Sequence, residues 1–242
     1  MDLPLARAVV PNLEFVDSID STNLALAREY ELLADFHVLV SAEQTAGQGR
    51  AGRSWVSEKG SSISLSVLLR PVHQQNSSLV TLLIAVSAHQ ALHKLFPEIA
   101  LSIKWPNDLL IGERKLAGIL ASLNPDQSIV AGIGINLADQ RAPENAIALA
   151  ELVDTDFDST LSAVLAQLKS NWNLWQNSSN TSWLIDYLKT HCSTIGSAIR
   201  AELVTGESIV GTAIDIESDG RLRVMADREH LLAAADVWHL RK

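Results

Sequence analysis

Gly47-Gln48-Gly49-Arg50-Ala51-Gly52-Arg53-Ser54-Trp55 can be read in two ways, and the two lead to different folds. The spacing Gly47-x-Gly49-x-x-Gly52 matches the dinucleotide fingerprint, which belongs between a strand and a helix of a doubly wound sheet, with an acidic residue about twenty positions on. A strand does precede it, because His37-Val38-Leu39-Val40-Ser41 is apolar and leads in through Glu43-Gln44-Thr45. The residues after the loop do not fit. Arg53 to Gly60 has no helical apolar period, Ser62-Ile63-Ser64-Leu65-Ser66-Val67 alternates with period two, and Arg70-Pro71-Val72-His73 stands where the acid should be. No GxxxxGKS or GxxxxGKT segment occurs either. The stretch therefore reads as a loop between strands. Glycine loses backbone entropy on ordering, so its use here points to positive φ or to a ligand lying on bare backbone. Free N–H groups, the Arg50 and Arg53 guanidinium forks and the Trp55 ring suit a small, flat, phosphate-bearing ligand. The plainer reading is a mobile surface connection kept soluble by its arginines.

On the N-terminal side, Asp17-Ser18-Ile19-Asp20-Ser21-Thr22-Asn23 precedes a helix predicted from Leu24 to Leu33, with Ser21 or Thr22 as N-cap. Capping alone explains these side chains, yet spare hydroxyls and N–H groups at a helix start also receive a polar ligand head. On the C-terminal side, Ser77 to Leu95 is apolar nearly all round, which predicts a buried helix. His89 and His93 on it have the i, i+4 spacing of a zinc helix, but residue 90 is Gln and no third ligand is identified, so they read as ordinary histidines and no metal site is expected. Leu101 to Trp105 alternates up to Pro106, and Asn107-Asp108 turns into Leu109-Leu110-Ile111. Gly112-Glu113-Arg114 makes a tight turn into Lys115 to Ala121, and Ile129 to Asn136 is a further strand. Its Gly132 and Gly134, with Gly118 before them, mark a sheet face that something approaches closely. Lys104 and Lys115 fall on strands, where solvated edge charges and functional cations look alike.

Ala138 to Ala150 reads as a loop or short helix, Ser159 to Gln176 as an amphipathic helix, and Trp183 to Thr190 as another. From about Thr194 short alternating strands take over, with turns at Gly206 and Ser218-Asp219-Gly220, which suggests a small β-barrel. The expected fold is α+β: a central mixed or antiparallel sheet flanked by helices over residues 1–192, and a small barrel over 193–242.

The net charge of −9 disfavours binding to a nucleic-acid backbone, which makes the loop arginines local in purpose. Cys192 is the single cysteine, so no internal disulfide forms and a reducing, cytoplasmic setting is expected. No signal peptide is evident at the start, and the longest apolar run, Leu79 to Val86, is too short to span a bilayer.

Five ordered motifs resemble the biotin protein ligase family: Asp20-Ser21-Thr22-Asn23, the glycine loop with Arg50 and Trp55, Lys104-Trp105-Pro106-Asn107-Asp108, Lys115 to Leu120, and Gly132-Ile133-Gly134-Ile135-Asn136. Each is weak alone, whereas five in order are specific. The resemblance implies a synthetase-like catalytic domain with an SH3-like appendage, and ATP, biotin and Mg²⁺ as reactants. It implies ligation of biotin to a lysine of a biotin carboxyl carrier domain, such as that of acetyl-CoA carboxylase, through biotinyl-5′-AMP. By the same resemblance Ser21, Thr22, Asn23 and Gln44 hold biotin, Gly47, Gln48, Gly49 and Arg50 close over it, and Gly118 and Gly132 form the floor. Arg50, Lys104, Lys115 and Asp108 are the catalytic candidates. Arg53, Trp55, Asn107 and Asn136 join Arg50, Lys104 and Lys115 around the nucleotide, and either Asn107 or Asp108 places Mg²⁺.

Some positions depart from the family pattern. Gln48 and Ala51 stand where many relatives carry arginine, Ser61-Ser62 where asparagine is common, and no tryptophan comes soon after Asn136. About nineteen residues precede the first motif, so no winged-helix DNA-binding domain is expected in them. A lipoate or octanoate ligase or transferase of the same fold, and a non-catalytic module that binds biotin or its adenylate, are the competing readings. Monomer and homodimer are both open.

Overall fold

The central sheet is built from seven strands. In chain order they are β1 (Glu14–Val16), β2 (His37–Ser41), β3 (Ser62–Leu69), β4 (Leu101–Lys104), β5 (Asp108–Ile111), β6 (Arg114–Leu123) and β7 (Ile129–Asn136). They lie side by side as β1-β2-β3-β7-β6-β5-β4, in a computed structural model that describes residues 1–55, 57–138, 145–203 and 205–240. β1 runs parallel to β2 and every other pairing is antiparallel, so the sheet is mixed, as expected. The segment after the glycine loop enters a strand and opens no helix, which disposes of the dinucleotide reading.

β3 is buried on both faces. Ile63, Leu65, Val67 and Leu69 point into the main core. That core is filled by α3 (Val80–Leu95) and α4 (Phe157–Gln176), with α1 (Pro4–Val9) and α5 (Ser182–His191) packed beside them. The alternate residues Ser62, Ser64 and Ser66 are equally buried, under α2 (Thr22–Glu29) and the glycine loop. Apolar cover on one face and polar cover on the other is the physical meaning of the Ser-x-Ser-x-Ser alternation.

Some local expectations shift. α2 ends at Glu29 and continues only as a 3-10 turn over Tyr30–Leu32, and a second such turn over Gln74–Leu79 leads into α3. Ser21 occupies the N-cap position of α2 with extended backbone, but its side chain makes no capping bond. Instead the Thr22 N–H donates to Gln44 Oε1 at 2.8 Å. The expected element over 138–150 lies partly on residues 139–144, outside the described residues; beyond them, Ala146 bridges Lys115 and Leu149–Glu151 forms one 3-10 turn.

The C-terminal strands β8 (Ala198–Glu202), β9 (Ser208–Ile216), β10 (Leu222–Met225), β11 (Glu229–Leu232) and β12 (Asp236–His239) form an antiparallel sheet in the order β11-β10-β9-β8-β12. No ladder between β11 and β12 closes it among the described residues. It is fastened to the central sheet at Trp105, whose indole N–H donates to the Gly220 carbonyl (3.0 Å) and whose backbone N–H donates to Thr194 Oγ1 (3.1 Å). No helix among the described residues is long and apolar enough to cross a membrane.

Candidate active site

β6 and β7 pair with Gly118 opposite Gly134 and Leu120 opposite Gly132, so three of these four positions on the face away from α3 carry no side chain. Two residues are enough to move about 7 Å along a strand. At one end the Asn23 side chain lies so close to Gly132 that an added Cβ would come within 2.6 Å of its Oδ1. At the other end Lys115 curls back over Gly118, where an added Cβ would sit 3.0 Å from Nζ. Trp55 lies between them, and a Cβ on Gly134 would come within 2.3 Å of its indole. The bare glycines are therefore required by close approach from above.

The roof is the glycine loop, closed as a short hairpin. Gly49 N–H donates to Arg53 O (2.7 Å) and Trp55 N–H to Gly47 O (2.9 Å). The turn itself is Arg50–Gly52, with Ala51 at φ 53° and Gly52 at φ 72°. Gly52 adopts this left-handed conformation without penalty, whereas Ala51 carries strain. Between roof and floor lies a cavity of about 340 Å³.

One end of the cavity is a neutral hydrogen-bond set. Thr22 Oγ1 donates to Gln44 Oε1 (3.1 Å), Asn23 Nδ2 donates to Leu120 O (3.1 Å), and Ser66 Oγ lies 2.7 Å from Thr22 Oγ1 and 2.8 Å from Asn23 Oδ1. Ser21 is buried beside them with its hydroxyl uncommitted to the helix.

The other end is cationic. Lys115 Nζ pairs with Asp108 Oδ1 at 2.7 Å and sits 5.8 Å from the Trp55 ring centroid. Arg50 Nη1 donates to Asn107 Oδ1 (3.0 Å), while Asn107 Nδ2 donates to Ile119 O (3.0 Å), so that amide is engaged at both ends. Burial, before any other cause, pulls the Arg50 and Lys104 pKa values down. For both, Asp108 and Asp236 pull back up, and neighbouring cations push further down. Among the described residues, Arg50, Arg53, Lys104 and Lys115 thus face two carboxylates, Asp108 and Asp236, across the cavity walls. That excess of positive charge in a partly desolvated site favours a polyanion.

Of the residues singled out from sequence as site candidates, Gly47 and Asn136 alone do not line this cavity. Gly47 abuts the Trp55 carbonyl, where a Cβ would sit at 2.5 Å, and so shapes the hairpin. The Asn136 amide donates to the carbonyls of Lys115 and Ile147, both at 3.2 Å, and pins the segment around Ile147 to β6. Ser61 and Ser62 lie off the cavity as well; the Ser61 hydroxyl donates to Glu58 O (2.7 Å), and the Ser62 hydroxyl lies 2.8 Å from Ser57 Oγ. Ser66, Asp236 and Trp238 line the cavity without having stood out in the sequence. Ser66 was signalled by the serine alternation on β3, but Asp236 and Trp238 come from β12, whose sequence shows only an ordinary strand. His89 is buried on α3, with Nδ1 2.9 Å from the Tyr187 hydroxyl and Nε2 3.1 Å from Leu101 O. No group of three or more metal-ligating side chains occurs among the described residues.

Comparison with known proteins matches this arrangement. Residues 15–138 match the biotin/lipoate A/B protein ligase family, and residues 194–239 match the biotin protein ligase C-terminal domain. The biotin–[acetyl-CoA-carboxylase] ligase of Mycobacterium tuberculosis is 35% identical over 241 residues, covering 95% of this chain and 89% of that one. The bifunctional ligase/repressor BirA of Escherichia coli is 29% identical over 220 residues, covering 86% of this chain and 68% of that protein. Among solved structures, the biotin protein ligase of Aquifex aeolicus in complex with biotin and ATP superposes with a TM-score of 0.80 at 24% identity, covering 95% of this chain and 99% of that one. The bare-floored sheet, the cationic hairpin above it and these likenesses agree: the chain belongs to the biotin/lipoate A/B protein ligase family and is of the biotin protein ligase kind.

Proposed function

We infer that the protein ligates biotin to a carrier lysine at the expense of ATP, in two steps that share the cavity under the glycine loop. The observation that carries this reading is the pairing of a neutral hydrogen-bond set with a cationic cluster in one cavity, about the length of a short acyl chain apart. Biotin has a urea-like ring at one end and a carboxylate at the other. Its ring finds partners in Ser21, Thr22, Asn23 and Gln44. The apolar tail of octanoate or the dithiolane of lipoate offers those groups no hydrogen-bonding partner, which disfavours both.

In the first step a biotin carboxylate oxygen attacks the α-phosphorus of ATP. The bond to the bridging oxygen breaks, and pyrophosphate leaves with that electron pair. Two anions must meet, so the protein's contribution is positioning and charge. Lys115 passes from Asp108 to the reacting oxygens, Arg50 closes on the phosphate from above, and Lys104, without a hydrogen-bond or ion-pair partner of its own among the described residues, serves the departing phosphates. Arg53 and Trp55 border the nucleotide. Asn107 is committed to Arg50 and Ile119, which leaves Asp108 as the carboxylate that would hold Mg²⁺ together with ATP oxygens; one carboxylate plus phosphates is a usual set for this ion, and it supplies charge neutralisation there. In the second step the carrier lysine amine attacks the acyl carbon, AMP leaves, and the new amide nitrogen sheds its proton. The closed hairpin shields the mixed anhydride from water until then.

Residues 1–192 form the catalytic domain and 193–242 the C-terminal domain in this reading, which the two separate family matches support. The partner is a biotin carboxyl carrier domain such as that of acetyl-CoA carboxylase, and the setting is the cytoplasm, in keeping with a single, buried, unpaired cysteine. The test is incubation of the purified chain with ATP, Mg²⁺, biotin and a carrier domain. Pyrophosphate release with biotin on the carrier lysine is expected; biotin-independent ATP breakdown, or no labelling, overturns it.

A further inference from the structure

The C-terminal sheet does more than stand beside the cavity. Asp236, the first residue of β12, accepts from Arg53 Nη2 at 2.8 Å across the gap between the two sheets. Arg53 in turn donates from Nε to the Arg50 carbonyl (3.1 Å) and from its backbone N–H to the same oxygen (3.2 Å). That carbonyl opens the turn whose side chain, Arg50, reaches Asn107. Asp236 is itself held: β12 pairs with β8, and the guanidinium of Arg200 lies 5.0 Å from the ring centroid of Trp238. A path of short contacts therefore runs from the C-terminal sheet to the arginine above the cavity. The glycine loop, with its three glycines and a strained Ala51, has little intrinsic preference for the closed hairpin and needs such an anchor.

We propose that Asp236 is a positioning residue, which latches the glycine loop closed through Arg53 and so sets how long the adenylate is kept. The retention of adenylate rests on the biotin-ligation reading; the latch itself does not. The carboxylate is 23% exposed and the guanidinium 56%, so the pair is of modest strength. Modest strength is what a loop that opens in every turnover requires.

Two readouts separate the parts. Trypsin cuts after Arg50 and Arg53 only when the hairpin opens, so its rate there reports the latch without any substrate. Release of preformed biotinyl-adenylate, chased with unlabelled biotin and ATP, reports retention. Asp236→Asn is expected to raise both rates about threefold to fivefold with unchanged thermal unfolding, and Asp236→Glu to stay near the wild type. Arg53→Gln breaks the pair from the other side, and adding Asp236→Asn to it should raise adenylate release no further. Unchanged trypsin cleavage in Asp236→Asn, or additive effects on release in the double variant, overturns the latch. Faster cleavage from a protein that makes no adenylate at all would uphold the latch and refute the ligation reading instead.

Discussion

Gly134→Ala tests the packing of the loop onto the sheet more sharply than any change in a charged residue. The added methyl carbon would lie 2.3 Å from Trp55 Cε2, 2.4 Å from Cζ2 and 2.6 Å from Nε1. Carbon atoms rest at about 3.5–4.0 Å, so the indole must retreat by about 1 Å or more. Neither neighbour yields easily. The methyl is fixed to a central strand paired on both sides, and Trp55 is tied into the hairpin by its own N–H. Overpacking of this size costs roughly 1–3 kcal/mol. The strain falls on the closed loop rather than on the fold, because Ile133 and Ile135 on the opposite face keep their contacts with the core. Affinity for a ligand held under the loop should drop about 5- to 150-fold. Calorimetric titration with biotin measures the loss, and thermal unfolding checks that the fold survives. Gly112→Ala is the contrast: open space surrounds that turn and φ is +59°, so it should cost up to about 1 kcal/mol of stability and leave biotin affinity alone. If Gly134→Ala binds biotin as tightly as the wild type, the loop does not close over the glycine floor in solution.

The same geometry sets three further outcomes. Lys115→Ala should slow adenylate formation by about 10²–10³-fold, the usual loss when one charge-stabilising group is removed; rapid pyrophosphate exchange in that variant would take Lys115 out of the chemistry. Arg50→Gly removes the side chain that spans roof and floor through Asn107, and should let adenylate escape and label bystander lysines, as mass spectrometry of added albumin would reveal. His89 offers a pH test away from the site. Burial first, and then the neighbouring His191 and His93, lower its pKa from 6.5 to about 4, although the Leu101 carbonyl opposes this. The unfolded chain therefore binds more protons between these values, and stability falls as pH drops from 6.5 towards 4, by about 3 kcal/mol from this group. Urea unfolding at pH 7 and pH 4 should show that loss in the wild type and a smaller one in His89→Gln.

Much of the fold was written in the sequence, for reasons that can be named. The glycine loop was legible because the segments on either side of it alternate or run apolar like strands, and that ruled out a helix after it. The bare floor was legible because glycines in a strand interior are costly without a close neighbour. What was hidden depends on residues far apart in the chain. α1 is six residues long and has no local cap; its Leu5 and Ala6 N–H groups donate to the carboxylate of Asp158, both at 2.9 Å, from the first turn of α4. Ser21 has the N-cap position but makes no capping bond, and the first amide of the helix, that of Thr22, is met by Gln44 from another segment. Asp236 and Trp238 sit in a strand whose alternation says only that one face is buried, and nothing local reveals that this strand ends at the mouth of a cavity built by residues a long way earlier in the chain. Ser66 could have been found: three serines at alternate positions of a strand whose remaining residues are apolar must meet partners on one face.

The cavity should recognise biotin by its polar ring and its carboxylate together. Calorimetry of the purified protein with biotin, lipoate and octanoate, each with and without ATP and Mg²⁺, tests it most directly. Saturable binding of biotin is expected, tightened markedly by ATP as the adenylate forms, with no comparable response to the other two acids. Equal or stronger binding of lipoate or octanoate, or no heat with biotin at all, would contradict it.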